Sequence, residues 1–273
     1  MAAEDRPQIT LITPPTFALE VFPTTLARVL DGAEIACLRL SLASKDFAGL
    51  GAAVLRQGSG DGQVYVHLDY GPHGGGHGHP DKLTVMLYGA GRELAPDPGR
   101  LAYGAPLQGS WYRQTFAHNT ICVDERSQKA TEGKLTLFSS QPGLAIADAE
   151  WDTAYPDVRM RRTVALTEMY MLDIYRVDSD EEHTYDWLWH NMGELVPGMP
   201  SEPRTEPLGE ANGYQHMTDL RQATTDGTWS ADFKQEGANV RLTMLGAPGT
   251  EVYFGTGMAY NPPQPLSLIH ISE

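Results

Sequence analysis

Cysteine, basic side chains and long apolar runs are all scarce in this 273-residue chain, and each scarcity excludes something. Two cysteines, Cys37 and Cys122, cannot build a disulfide framework, and both stand in apolar stretches (EIACLRL and NTICVD) that predict buried, inert thiols. Lysine and arginine number 20 against 35 aspartates and glutamates, a formal net charge of −15, so the chain lacks the basic surplus that a general nucleic-acid binder needs. No run of ~18 apolar residues is present to span a bilayer. The opening MAAEDRPQ does not have the charged-then-apolar layout of an export signal. What is there, 41% apolar and 20% charged residues, is a globular composition with material for a sizeable core.

Both ends of the chain read as separate from its middle. Residues 17–31 (FALEVFPTTLARVLD) carry Leu, Val and Phe at roughly helical spacing, interrupted by Pro23, and predict the stub of a helical domain within an N-terminal segment, 1–48. The last eight residues, 266–273 (LSLIHISE), resemble the translation of a sequencing adapter and are expected to be a non-native tail, which removes His270 from consideration. Between them, residues 49–265 hold many short runs of alternating or β-branched residues, such as QVYVHLDY, KLTVMLYG, RMRRTVALTEMYMLDIYRVD and TYDWLWHNM. Turn formers separate them, among them PG at 142–143 and DG at 226–227. Without long amphipathic helices between the strands, the expectation is an all-β protein, an antiparallel β-sandwich.

The chemistry concentrates between Asp69 and Gln128. The segment LDYGPHGGGHGHPDKL (68–83) sets His73, His77 and His79 among five glycines, a composition that suits a site better than a core. Two apart, His77 and His79 would point to the same side of an extended chain. Downstream come Asp97 in APDPG and His118 in FAHNT. Two imidazoles and a carboxylate from three separate elements, His79, Asp97 and His118, make a three-ligand metal set with an open position. By spacing alone an ordinary alternative stays open: His118 caps a strand and Asp97 starts a DPG turn.

The ordered string HGHPDKL, LYGAGRELAPDPG and WYRQTFAHNTICVDERSQ, within roughly residues 50–195, resembles the heparinase II/III-like polysaccharide lyases, including oligoalginate lyases. The resemblance implies an antiparallel β-sandwich preceded by an α/α toroid, of which this chain would keep only the helical remnant. It further implies that His79, Asp97 and His118 hold a structural Zn²⁺, that His77 is the catalytic histidine facing the substrate, and that the site lies in the periplasm or cell envelope. The implied reaction is β-elimination across a uronic acid in an acidic polysaccharide, alginate or a glycosaminoglycan. The family's principal tyrosine and an Asn/His pair that grips the carboxylate belong to the toroid, and residues 1–50 show no matching segment. The expectation is therefore little or no lyase activity from the chain alone.

Other residues carry weaker readings. Arg113 could meet a uronate carboxylate bidentately or be an ordinary structural arginine. His73 and Tyr112 could line the same cleft, and Tyr70 flanks it. Asp81 reads as a turn residue or a partner to an imidazole. His190 alternates with Trp187 and Trp189 and reads as a core histidine; the tryptophans read as core in preference to sugar platforms. Asp124 and Glu125 fail as a glycosidase pair, since neighbours on a strand face opposite ways. The net charge favours a uronate of modest charge density over heavily sulfated heparin. Two other classes remain: a non-haem iron oxygenase, which shares the two-histidine, one-carboxylate set, and a non-catalytic carbohydrate-binding module.

Overall fold

The computed structural model describes residues 43–272, and the helical stub and Cys37 lie outside them. The described part is all-β and every strand pairing is antiparallel. Strands β1 (Lys45–Phe47), β2 (Ala52–Gln57), β3 (Val64–Asp69), β4 (Val85–Gly89) and β5 (Arg92–Ala95) form a five-stranded meander. Its first strand lies four residues before the boundary read from the sequence. After β6 (Ile121–Val123), a second meander follows: β7 (Lys134–Gln141), β8 (Leu144–Trp151), β9 (Val158–Leu166) and β10 (Met171–Ser179).

The remaining strands are β11 (Tyr185–Asn191), β12 (Glu194–Pro197), β13 (Glu202–Pro203), β14 (Thr218–Thr225), β15 (Trp229–Gln235), β16 (Ala238–Met244), β17 (Thr250–Ala259) and β18 (Gln264–Ser272). They interleave into a six-stranded sheet ordered β13-β14-β17-β18-β11-β6 and a three-stranded sheet ordered β12-β15-β16. The antiparallel all-β expectation is met, but hydrogen bonding divides the strands among four sheets where a two-sheet sandwich was expected. Residues 266–272, set apart on sequence as a tail, form most of β18, paired with β11 on one side and β17 on the other. His270 within it is buried, with Nε2 2.7 Å from Asp186 Oδ1.

Local chemistry explains the hairpins. Pro142 and Gly143 turn β7 into β8, with Gly143 at φ +83°, the left-handed position that a type II turn reserves for glycine. That tip is tied back to β2, because Gln57 donates to Gln141 O (3.1 Å) and accepts from Gly143 N (3.0 Å). Thr167 Oγ1 accepts from Met169 N and Tyr170 N to close the β9–β10 turn.

The main core draws on all four sheets, through Leu55, Leu68, Val85, Met160, Val164, Trp189, Phe233 and Phe254 among others. A second core, with Trp111, Phe116, Cys122, Leu188, Tyr214 and Leu268, uses the opposite side chains of β6, β11 and β18. The middle of the six-stranded sheet is thus buried on both faces, and residues 101–117 with 208–217 form the cover of the second face. Trp111, Trp189 and Trp229 are buried as expected, and Cys122 is a buried free thiol. His190 is wholly buried and faces Trp111; burial holds its pKa down to about 3. Its expected role as a core histidine stands, with Nδ1 3.2 Å from Asn119 Oδ1. Asp124 and Glu125 occupy a turn after β6, at φ +52° and +54°, so they fail as a catalytic pair for a different reason from strand alternation. No helix among the described residues is long and apolar enough to cross a membrane.

Three loops meet at His183, whose Nδ1 lies 2.8 Å from Asp124 Oδ2 and Nε2 3.2 Å from Asp157 Oδ2. Hydrogen bonds to these two carboxylates raise the His183 pKa above its ordinary 6.5. The group's stabilisation is therefore full below that value and lost as pH rises through the raised folded-state pKa. The thermal midpoint of His183→Gln should be lower than wild type in acid, with the difference closing as pH rises through the histidine range. A difference that is constant with pH would contradict the clamp.

Candidate metal centre and groove

The cover over the second core also builds the site. Residues 96–120 must leave β5, cross the six-stranded sheet and enter β6, which carries Asp97 and His118 past the β3–β4 connection with its three histidines. In that connection Gly74 and Gly75 have φ of +81° and +64°, and Gly75–His77 makes one 3₁₀ turn. The chain is not extended there, so strand alternation does not apply, although His77 and His79 both line one groove. A Cβ on Gly78 would overlap the His73 carbonyl oxygen, and the turn therefore demands glycine.

His79, Asp81, Asp97 and His118 each bring one ligand atom into a cluster whose members all lie within 4.8 Å of one another. His118 Nε2 stands at its centre, 3.2 Å from His79 Nδ1, 3.5 Å from Asp97 Oδ2 and 4.0 Å from Asp81 Oδ2. Ligands at about 2.0–2.1 Å from a tetrahedral ion would lie roughly 3.3 Å apart, so the set fits a divalent cation such as zinc. The three expected ligands converge, and Asp81, read as a turn residue or a partner to an imidazole, joins them.

Three of the four donors are aimed by their other atoms. His118 Nδ1 is 2.9 Å from Gln114 O, to which it donates, leaving the Nε2 lone pair for the cluster. Asp97 Oδ1 accepts from Gly99 N at 2.8 Å, which frees Oδ2. Asp81 Oδ1 faces the Lys82 ammonium at 3.1 Å. Burial, with the His118 charge next, lowers the His79 pKa, and burial raises that of Asp97 against the attraction of His118. An imidazole kept neutral is available as a donor.

Beneath the cluster Lys82 is buried and its Nζ lies 2.5 Å from Asp69 Oδ2. Its desolvation works against the charge, yet the Asp81 and Asp69 carboxylates outweigh it and raise the lysine pKa. The Lys82 backbone is held by Gln128, which accepts from Lys82 N (2.8 Å) and donates to Lys82 O (3.1 Å).

An open groove of about 380 Å³ runs over the cluster, lined by His73, His77, His79, Lys82, Asp97 and Arg100 among others. The exposed His77 stands at its edge, Nδ1 hydrogen-bonded to the Tyr103 hydroxyl. Tyr103 was not foreseen, since only a bend in the 96–120 connection brings it beside a residue 26 positions earlier. His73 lines the groove as expected. Arg113 is not among the lining residues, although it stands near enough to His79 for its charge to oppose protonation there. Tyr112 is corrected: it is wholly buried in the second core and its hydroxyl donates to Tyr260 O at 2.7 Å, so it cannot meet a substrate. Tyr70 is also buried, hydrogen-bonded to Asp46.

Residues 39–253 match the family model described as heparinase II/III-like, C-terminal. Among curated proteins the chain is 34% identical over 195 residues to an alginate lyase of Stenotrophomonas maltophilia, covering 61% of this chain and 26% of that protein. It is 27% identical over 211 residues to a heparin-sulfate lyase of Bacteroides stercoris, covering 76% and 28%. An exo-oligoalginate lyase of Saccharophagus degradans is 26% identical over 213 residues, covering 66% and 29%. The chain thus spans between a quarter and a third of the length of these relatives. Among solved structures, a heparan sulfate lyase of Pedobacter heparinus shares the fold with a TM-score of 0.63 and 21% identity, over 93% of this chain and 38% of that one.

Removing the Lys82 ammonium leaves two carboxylates without their cation. Lys82→Met should lower unfolding free energy by about 3 kcal/mol in urea titrations, as for other buried pairs broken on one side. A loss below about 1 kcal/mol, the scale of an exposed pair, would show that Lys82 is not what neutralises Asp69 and Asp81.

Proposed function

The chain belongs to the heparinase II/III-like family, and from that premise we propose that it forms the zinc-bearing β portion of a lyase acting on uronic-acid polysaccharide. The observation that carries the reading is the convergence of His79, Asp81, Asp97 and His118 beneath a groove bordered by His77. The substrate class is an acidic polysaccharide, with alginate-type oligouronate favoured over heavily sulfated chains. The groove's buried cation, Lys82, is already matched by Asp69 and Asp81, which leaves Arg100 as the lining lysine or arginine for the substrate, enough for a uronate and too little for multiple sulfates. The second partner is an α/α toroid of the same protein, and the periplasm or cell envelope is the proposed location.

In β-elimination a base removes the proton on C5 beside the carboxylate, the bond from C4 to the leaving sugar oxygen breaks, and an acid protonates that oxygen. The products are a 4,5-unsaturated uronate and a new chain end. The difficult requirement is stabilising charge that develops on the carboxylate as the C5 proton departs, which calls for donors fixed in advance. His77 has Nδ1 engaged by Tyr103, so Nε2 is the nitrogen left to meet the sugar, as a donor to the carboxylate or a carrier of the proton. When bound, zinc supplies charge that locks the His-rich loop, the DPG turn and the His118 segment together; elimination needs no activated water. His79, Asp97 and His118 hold it, with Asp81 beside them.

The ligand set would also suit ferrous iron, so metal analysis of the purified chain is the first discriminator. One zinc per chain is expected, with zinc content and thermal stability falling together in His118→Ala. Iron in its place would favour the oxygenase alternative, and unchanged zinc in His118→Ala would refute the assignment.

Calorimetric titration with alginate oligomers tests the groove. His77→Ala should weaken binding by about tenfold or more, the scale of a hydrogen bond to a charged group, with zinc retained. Unchanged affinity would favour a non-catalytic binding module. The chain alone should give little rise in conjugated-alkene absorbance; rapid turnover would overturn the view that the toroid supplies essential groups.

A further inference from the structure

The inward face of β9 should be apolar, and Val158, Met160, Val164 and Leu166 are buried there. Arg162 interrupts the series and is wholly buried as well. A guanidinium out of water is costly unless every donor is used on good acceptors. Its Nε and Nη2 donate to the two oxygens of Asp173 on β10, at 2.9 Å and 2.6 Å. Its Cζ lies 4.9 Å from the centre of the Tyr175 ring, directly across the hairpin. Neither contact explains why the side chain points into the protein.

The Nη1 group does. It donates to Leu83 O at 2.6 Å and to Asn119 O at 2.5 Å, two carbonyls 36 residues apart in sequence. Leu83 lies two residues after Asp81, and Asn119 directly follows His118. One nitrogen therefore ties together the two segments that bring candidate ligands from either side of the cluster.

Two further observations point the same way. Leu83 has φ +59°, a left-handed conformation that costs a branched side chain energy and persists only when its surroundings hold it. Tyr175 extends the same fastening, its hydroxyl 3.1 Å from Thr120 Oγ1, which donates to Lys82 O at 2.9 Å. Guanidinium and phenol thus brace residues 82–83 against 119–120 from behind.

We propose that Arg162, anchored by Asp173 and Tyr175, is a positioning residue that sets the separation between the His79/Asp81 loop and His118. It touches neither ion nor substrate. The proposal rests on the metal reading of the cluster. Lysine cannot replace it, because a single ammonium cannot serve a bidentate carboxylate and two carbonyls in a fixed plane.

The test measures zinc affinity by chelator competition, and the visible spectrum of the Co²⁺ form, in the full chain. Wild type is compared with Arg162→Lys and with Val158→Ala, which opens a cavity on the same strand at the far end of the hairpin, opposite Ser179 and away from Asp173 and Tyr175. At a temperature where all three are folded, Val158→Ala should keep wild-type affinity and spectrum despite a lower thermal midpoint. Arg162→Lys should bind zinc about ten- to a hundredfold more weakly, the usual effect of losing a group that orients ligands, and shift the Co²⁺ bands. If Arg162→Lys does not fold, Asp173→Asn decides, with weakened binding and altered bands expected. Wild-type affinity and spectrum in the folded variant would overturn the proposal alone. Failure of the wild-type chain to take up either ion would overturn the metal reading, and this inference with it.

Discussion

The His118 imidazole is where the constraints on this protein meet. Its Nδ1 is committed to the Gln114 carbonyl, so Nε2 must face His79, Asp81 and Asp97. That one committed hydrogen bond fixes ring, tautomer and direction together. Everything else in the site arranges how other segments reach this nitrogen. Thr115 Oγ1 donates to the Pro80 carbonyl, one residue past His79, and accepts from Gln128 N at 2.9 Å. Thr120, on the other side of His118, donates to Lys82 O. The segment 115–120 is thus sewn to 80–82 at both ends.

The fold supplies the reason for that path. A sheet buried on both faces needs a cover, and the long link from β5 to β6 provides it by laying Trp111 and Phe116 on the second core. Trp111 cannot move far, because its indole donates to Met258 O at 2.7 Å. With those aromatics seated, His118 arrives at the mouth of the β3–β4 connection at a defined depth. Of the Gly- and His-rich loop, His77 stands exposed at the rim beside Tyr103, while His79, two residues on, joins the cluster. A closely braced floor, with His118 and Lys82 buried in it, thus lies beside an exposed histidine.

Much of this was legible in the residues. Alternation gave the antiparallel β class, and Pro142–Gly143 marked its hairpin. The division into four sheets was not legible, since pairing β11 with β18 and β6 is decided across long stretches of chain that periodicity does not see. His79, Asp97 and His118 stand out through the family resemblance, since their spacing alone leaves a strand cap and a DPG turn as the ordinary alternative. Asp81 reads on sequence as a turn residue or a partner to an imidazole, and the turn after His79 lets these near neighbours reach one cluster. Tyr112 misled because an aromatic beside the motif looks like a sugar contact; the apolar cover claimed it. Arg162 and Asp173 had a usable signal, two charges at inward positions of an apolar hairpin, and such misplaced charges mark where an interior is being held by polar contacts.

The central claim is that side chains from three distant segments share one ion through specified atoms. Diffraction from crystals of the purified chain, recorded at the zinc absorption edge, tests it most directly. The account predicts a single strong anomalous peak, about 2.0–2.2 Å from His79 Nδ1, His118 Nε2 and an Asp97 oxygen. A peak elsewhere, or a cluster that stays without one when crystals are grown in zinc, would contradict it.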